Sequence, residues 1–174
     1  MEFEPSSWSA GSYLNVGVMW LWGDVDHVAF HLGHRVQGFQ SYEDDEQFRP
    51  IADGLAKQAA DVVTRFRDQF REVDDAARHY ARETRDRRRA PVDDWHAGMS
   101  HALAGKPEDA RRFLDRFASF EDERGWAVRM REDARGIATL ANAGRMRRAV
   151  EGRIDSCRMK LRLPANERIV TDEP

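Results

Sequence analysis

SYLNVGVMWLW, residues 12–22, places Leu14, Val16, Val18, Trp20 and Trp22 on every second position, the spacing of a strand with one apolar face. Tyr13, Asn15, Gly17, Met19 and Leu21 fall on the opposite face, which is apolar enough to predict a central strand covered on both sides. Working outward, Gly23-Asp24-Val25-Asp26-His27 carries turn chemistry, and a second strand is expected from about Val28 to Phe39. Near residue 45 the period changes. Phe48, Ile51, Leu55, Ala59, Val62, Phe66, Phe70, Val73, Ala77 and Tyr80 recur at steps of three and four, the face of one long amphipathic helix. The run Ser41 to Glu46 (SYEDDE) supplies its start, because acidic side chains satisfy free N–H groups at the positive end of the helix dipole. Pro50 is expected in the first turn, where it is tolerated.

These patterns define an α+β fold: a small antiparallel sheet packed on a long amphipathic helix over residues 1–82, then a bundle of about four helices over 92–163 and a tail from 164 to 174. Arg82 to Pro91 (RETRDRRRAP) reads as a frayed end and linker within a single domain. The four later helices are expected to start at Asp93 or Asp94, at Pro107, at Gly125 and after Gly144. Their inward faces carry Trp95, Met99, Ala102 and Leu103; Ala110, Phe113, Leu114, Phe117 and Phe120; Trp126, Met130, Ala134, Ile137 and Ala141; and Met146, Val150, Ile154, Cys157 and Leu161. Met159, Leu161 and Leu163 also alternate, so 158–163 reads as helix or strand, and Ile169 and Val170 suit a short edge strand.

At 174 residues, 41% hydrophobic and 34% charged, the chain suits one globular domain and argues against disorder. No apolar run reaches membrane-spanning length, and MEFEPSSWS lacks the head and core of a signal peptide, so the expected compartment is the cytoplasm. Cys157 is the only cysteine, which excludes an internal disulfide framework and a cysteine-based zinc site. Of the 28 basic residues only Lys57, Lys106 and Lys160 are lysine, a bias that a bacterial genome of high GC content produces by codon usage alone. Arginine clusters therefore weigh less as evidence of phosphate binding, and a net charge of −3 gives no global field toward nucleic acid or an anionic membrane.

Two resemblances follow from these residues. The strand Tyr13-Leu14-Asn15-Val16-Gly17-Val18, the segment Gly33-His34-Arg35-Val36 and Phe48 opening the long helix together resemble bacterial families catalogued as domains of unknown function, over about the first 80 residues. That resemblance implies no catalytic residue. Gly98, Ala102, Gly105 and Ala110 fit the small-residue positions of a tetratricopeptide helical hairpin, where small side chains let two antiparallel helices approach closely. Trp95 sits one place late, Leu114 stands where an aromatic is usual and Phe117 replaces a small residue, all in a single copy, so an ordinary helical hairpin is expected.

Asp24, Asp26, His27, His31 and His34 are the closest grouping of metal-ligand and acid–base side chains. Strand alternation turns them to different sides, so a turn with decorative histidines is the simpler reading and no bound zinc is expected. His96 and His101, five apart on a helix, are expected to act independently. No P-loop, GxGxxG or serine elbow is present. The aromatic strands offer a candidate ligand groove formed by Tyr13, Trp20, Trp22, His27, His31 and Arg35, although aromatics in strands more often build a core. Arg145 to Arg168 holds eight basic residues and Ser41 to Asp75 ten acidic against five basic, read as complementarity within one molecule.

The function expected from these features is a non-catalytic protein-interaction module without cofactor, whose partner is another protein or a second copy in a homodimer. A small-ligand or metal-dependent enzyme using the aromatic sheet face and the Asp24 to His34 segment is the alternative. Nucleic-acid binding through the basic last helix is the weaker third. The dimer is expected because two strands alone are marginal and the apolar edge from Ser12 to Trp22 invites pairing.

Overall fold

The computed structural model describes residues 2–5, 10–84 and 90–164; the expectations for the tail, Ile169 and Val170, and for the middle of the Arg82 to Pro91 linker lie outside them. Internal contacts divide the chain into two compact units, Met1–Trp20 with Val28–Arg71, and Leu21–His27 with Glu72–Pro174.

The first unit is a sheet and one helix. Strand β1 (Glu2–Pro5) pairs antiparallel with β2 (Gly11–Val18), which pairs antiparallel with β3 (Leu32–Ser41). β2 is therefore central, as its apolar pattern implied, and β1 is a strand the sequence reading missed. The β2–β3 register pairs Val16 with His34 and Val18 with Leu32 and slips twice between Ser12 and Asn15. Helix α1 (Asp45–Gln69) begins as the acidic run predicts: the Asp44 side chain accepts from Gln47 N at 2.8 Å, and Gln47 Oε1 accepts from Glu43 N at 3.3 Å. Pro50 lies in the second turn rather than the first and deprives the Glu46 carbonyl of its usual N–H.

Leu14 and Val16 of β2 pack with Leu55, Ala59 and Val62 of α1, each no more than 5% exposed, and Val36, Ile51 and Phe66 close the edge of this core. Alternation in the strand and 3.6-residue periodicity in the helix thus meet on one apolar layer. Burial of the leucines and valines contributes roughly 1.5–3 kcal/mol each. On the other face, Phe30 lies over Gly17, where an added Cβ would stand 2.5 Å from the ring, so β2 needs glycine there for close approach.

Two expectations about strand ends are corrected. Trp22 leaves the alternation: β2 stops at Val18, and Leu21–Gly23 form a 3-10 turn closed by Asp24 N donating to Leu21 O at 3.1 Å. Asp24 sits at φ 53°, a left-handed conformation that aspartate tolerates better than most residues. The second strand begins at Leu32 instead of Val28, because Val18 and Leu32 are the last residues in register and His31 N closes onto Val18 O at 2.9 Å.

The long helix is also two helices. Phe70 departs from helical geometry (φ −122°, ψ 49°), and α2 (Val73–Glu83) restarts with the Asp75 carboxylate accepting from Glu72 N at 2.8 Å. The apolar stripe hides the break because it resumes nearly in phase. α2 opens the second unit, which continues with α3 (Pro91–Leu103), α4 (Pro107–Ala118), α5 (Gly125–Ala138) and α6 (Ala143–Lys160). Each of α2 to α5 packs on the next in chain order, while α6 packs on α3 and on the 3-10 turn. α6 stays helical to Lys160, so the strand reading of 158–163 does not hold.

α3 is the axis of this unit, buried at all ten positions from Asp94 to Leu103. Gly98 lets α4 approach: a Cβ there would stand 2.6 Å from Leu114, the close packing expected of the hairpin's small residues. The segment Leu21–His27 is held by several contacts. Trp22 Nε1 donates to His96 Nδ1 at 3.1 Å, Arg153 Nε donates to Trp22 O at 3.0 Å, and Lys160 Nζ donates to Asp24 Oδ1 at 2.8 Å.

Candidate interaction site on the helical unit

Of the six expected groove residues, Tyr13, Trp20, His31 and Arg35 lie in the sheet unit and Trp22 and His27 in the helical unit. Within the sheet unit, the Arg35 guanidinium lies 4.2 Å from the centre of the Tyr13 ring, and its Nε donates to Asn15 Oδ1 at 3.3 Å. In the same unit Trp20 donates its backbone N–H to His31 Nδ1 at 2.9 Å, and its ring meets Phe70 edge-on at 5.1 Å. Burial holds the His31 imidazole below its ordinary pKa, and protonation would break the Trp20 bond. Trp22 and His27 belong to the helical unit, where Trp22 is buried in the α3–α6 packing and exposed His27 pairs with Asp26 at 3.0 Å.

Other reactive types serve packing. Ser100 Oγ donates back to the carbonyls of His96 and Ala97 at 2.7 and 3.0 Å, which occupies it inside its own helix. His96 faces Tyr80 and Trp22, while His101 stacks on Phe113 at 5.3 Å, so the two act separately as the spacing predicts. Cys157 is buried with Sγ 3.4 Å from Val25 O. Among the described residues no three or more His, Cys, Asp or Glu converge as metal ligands.

The cations of α6 are partly committed: Arg153 pairs with Asp133 at 2.7 Å, Arg147 with Glu151 at 3.1 Å and Lys160 with Asp24. A cleft of about 470 Å³ is lined by Glu72, Val73, Asp74, Arg78, Leu103, Ala104 and Arg147. Its charges largely answer one another, since Arg78 pairs with Asp75 and Asp74, and Asp74 with Lys106.

A second concavity is different in kind. α4 ends at Ala118, and the residues that follow do not continue its stripe; Phe120 N turns back to Phe117 O at 3.1 Å. Arg135 and Arg131 of α5 cap this end, donating to Ala118 O at 2.9 Å and Phe120 O at 2.7 Å. In the loop before α5, Asp122 accepts from the backbone and side chain of Arg124, and these bonds hold its carboxyl down at about 2. Arg124 then lies 4.6 Å over the Trp126 ring. The result is a cavity of about 280 Å³ floored by Pro91, Val92, Phe117 and Ala127 and rimmed by Phe120 and Trp126, each 44% exposed.

The sequence reading placed Phe120 and Trp126 inward. Both are corrections. Phe120 stays on the α4 stripe only if that helix continues, whereas Ser119 and the acidic Glu121-Asp122-Glu123 end it. α5 turns Ala127, Ala134, Ile137 and Ala138 inward, one position out of phase with Trp126. A stop signal before Glu121 and a stripe read from Ala127 were the available clues.

Fold and site define an α+β chain with a helical unit that presents an aromatic-rimmed cavity. No family model matches the chain, and neither a curated protein nor a solved structure does. Among the described residues no helix is long and apolar enough to cross a membrane.

Proposed function

We propose that the chain is a non-catalytic protein-interaction module of the bacterial cytoplasm that receives an apolar side chain of a partner protein in the cavity between Phe120 and Trp126. The single observation behind this reading is that two large aromatic side chains, each half-exposed, line the same largely apolar hollow. Adjacent exposed aromatics are costly unless they are covered by something, and rings with low conformational freedom are favoured contact residues. The volume of about 280 Å³ sits just under the range of roughly 300 to 1,000 Å³ usual for small-molecule and cofactor sites, which suits one inserted side chain better. A lone buried cysteine agrees with a reducing compartment. The partner proposed is a different protein, because β1 pairs with Ser12 to Asn15 of the apolar edge on which a homodimer was expected.

Site-specific photo-crosslinking in the native host tests this. A benzophenone side chain at position 126 should capture a discrete protein partner, with capture reduced several-fold by Phe120→Ser. The same group at Gly136, on the same helix with open space around it, should capture none. Equal capture from both positions, or none from either, contradicts the proposal.

A further inference from the structure

His101, near the end of α3, is a buried acid–base group that the folding of the helical unit leaves unsatisfied. It is 7% exposed, and neither ring nitrogen has a hydrogen-bond partner among the described residues. Its ring stacks on Phe113 of α4 with centres 5.3 Å apart, and the Arg112 guanidinium lies 4.8 Å from the centre of that same phenyl ring. A neutral imidazole is tolerated in such a place. An imidazolium has two N–H donors and a charge that its surroundings must answer. We propose that His101 is an acid-triggered switch: on taking up a proton from solvent it draws the Asp109 carboxylate away from Arg112 and onto its own Nδ1, pinning the first turn of α4 to α3.

Asp109 Oδ2 stands 4.0 Å from His101 Nδ1, too far for a hydrogen bond and close enough to form one by a shift of about 1 Å. Asp109 Oδ1 is held by Arg112 at 2.7 Å, in an i, i+3 pair whose arginine is 64% exposed. Such surface pairs contribute little, whereas a charge inside the fold without a counter-charge is strongly disfavoured, so the protonated ring wins the carboxylate. The other charges that face the ring keep this order. Asp74 of α2 also attracts it, but that carboxylate already pairs with Lys106 at 2.9 Å and with Arg78 at 3.8 Å. Lys106, in the turn between α3 and α4, and Arg112 repel the proton, and α6 brings a further cation, Arg147, to the cleft beside Leu103 and Ala104. Burial, against the pull of Asp109, holds the imidazole below its ordinary 6.5, which sets the switch for mild acid.

An NMR titration of the full chain through the imidazole signals of its six histidines tests the switch. The His101 signals are assigned by their loss in His101→Gln, or through their contact with the Phe113 ring should that variant not fold. They should titrate with a midpoint below 6.5 while the chain is still folded. Below that midpoint a downfield Nδ1–H signal, slowed in its exchange with water by the bond to the carboxylate, should appear. Asp109→Asn should weaken that signal and lower the His101 midpoint by at least about half a pH unit, roughly a threefold loss of proton affinity. Asp109→Glu, which keeps the charge, should retain part of both. A midpoint unchanged by Asp109→Asn, or a His101 that titrates without the protected Nδ1–H, overturns the proposal. A ring that stays neutral until the chain unfolds overturns it as well.

Discussion

Leu55 and Phe66 lie on the same face of α1 but should not matter equally, because Leu55 is 1% exposed inside the core and Phe66 lies at its edge. Leu55→Ala should cost about 2 to 5 kcal/mol, the range for a buried leucine, and Phe66→Ala about 2 kcal/mol, below the roughly 3 to 5 of a fully buried ring. Urea unfolding of the two variants checks the order, which is the reverse of what residue size alone suggests. His101 supplies a second residue-scale prediction. It is 7% exposed, both ring nitrogens lack hydrogen-bond partners, and burial lowers its pKa from 6.5, against the opposing pull of Asp109 and Asp74 and with the help of Lys106 and Arg112. The unfolded chain therefore takes up a proton at His101 before the folded one does. Stability from this site is complete above pH 6.5 and is lost as pH falls toward the lower folded-state value. His31, lowered by burial in the sheet unit, acts in the same direction. The urea midpoint should fall between pH 7.5 and 5.5, and His101→Leu should flatten that slope.

At the scale of elements, Gly98 sets how closely α3 and α4 approach. Gly98→Ala gains about 0.5 to 1 kcal/mol of helix propensity but drives a methyl to 2.6 Å from Leu114, itself 0% exposed and unable to move aside. Overpacking of this kind costs roughly 1 to 3 kcal/mol, so a net loss of about 1 kcal/mol is expected in thermal or urea unfolding; a gain would show that the helices can separate freely. The same elements show how much was legible in the sequence. Leu14 and Val16 and the Leu55, Ala59 and Val62 stripe were readable because periodicity reports burial directly. The α1–α2 break was not, since an apolar stripe in phase on both sides of Phe70 outweighs the weaker Glu72-to-Asp75 start signal. Trp22 looked like a strand residue because alternation continues past the last ladder bond, and its destination depends on His96 and Arg153, far away in sequence. The rim of the cavity was misread for a related reason: Phe120 and Trp126 carry the composition of core residues, and the end of α4 and the phase of α5 turn them outward.

For the whole molecule, β1 completes a three-stranded sheet, and the stripe beyond Phe70 is covered by α3 through Ala76, Ala77 and Tyr80. Sedimentation equilibrium should accordingly find a monomer of 20.1 kDa at high micromolar concentration. The central claim is that the hollow between Phe120 and Trp126 accepts an apolar side chain from outside. Titration with N-acetylphenylalaninamide, followed by NMR through the indole N–H signals of the five tryptophans, tests it most directly. The Trp126 signal, assigned by its loss in Trp126→Phe, should shift in a saturable way while that of Trp95, 0% exposed in the core, stays in place, and Phe120→Ser should weaken the response several-fold. A Trp126 signal that does not move, or moves linearly and unchanged by Phe120→Ser, would contradict the account.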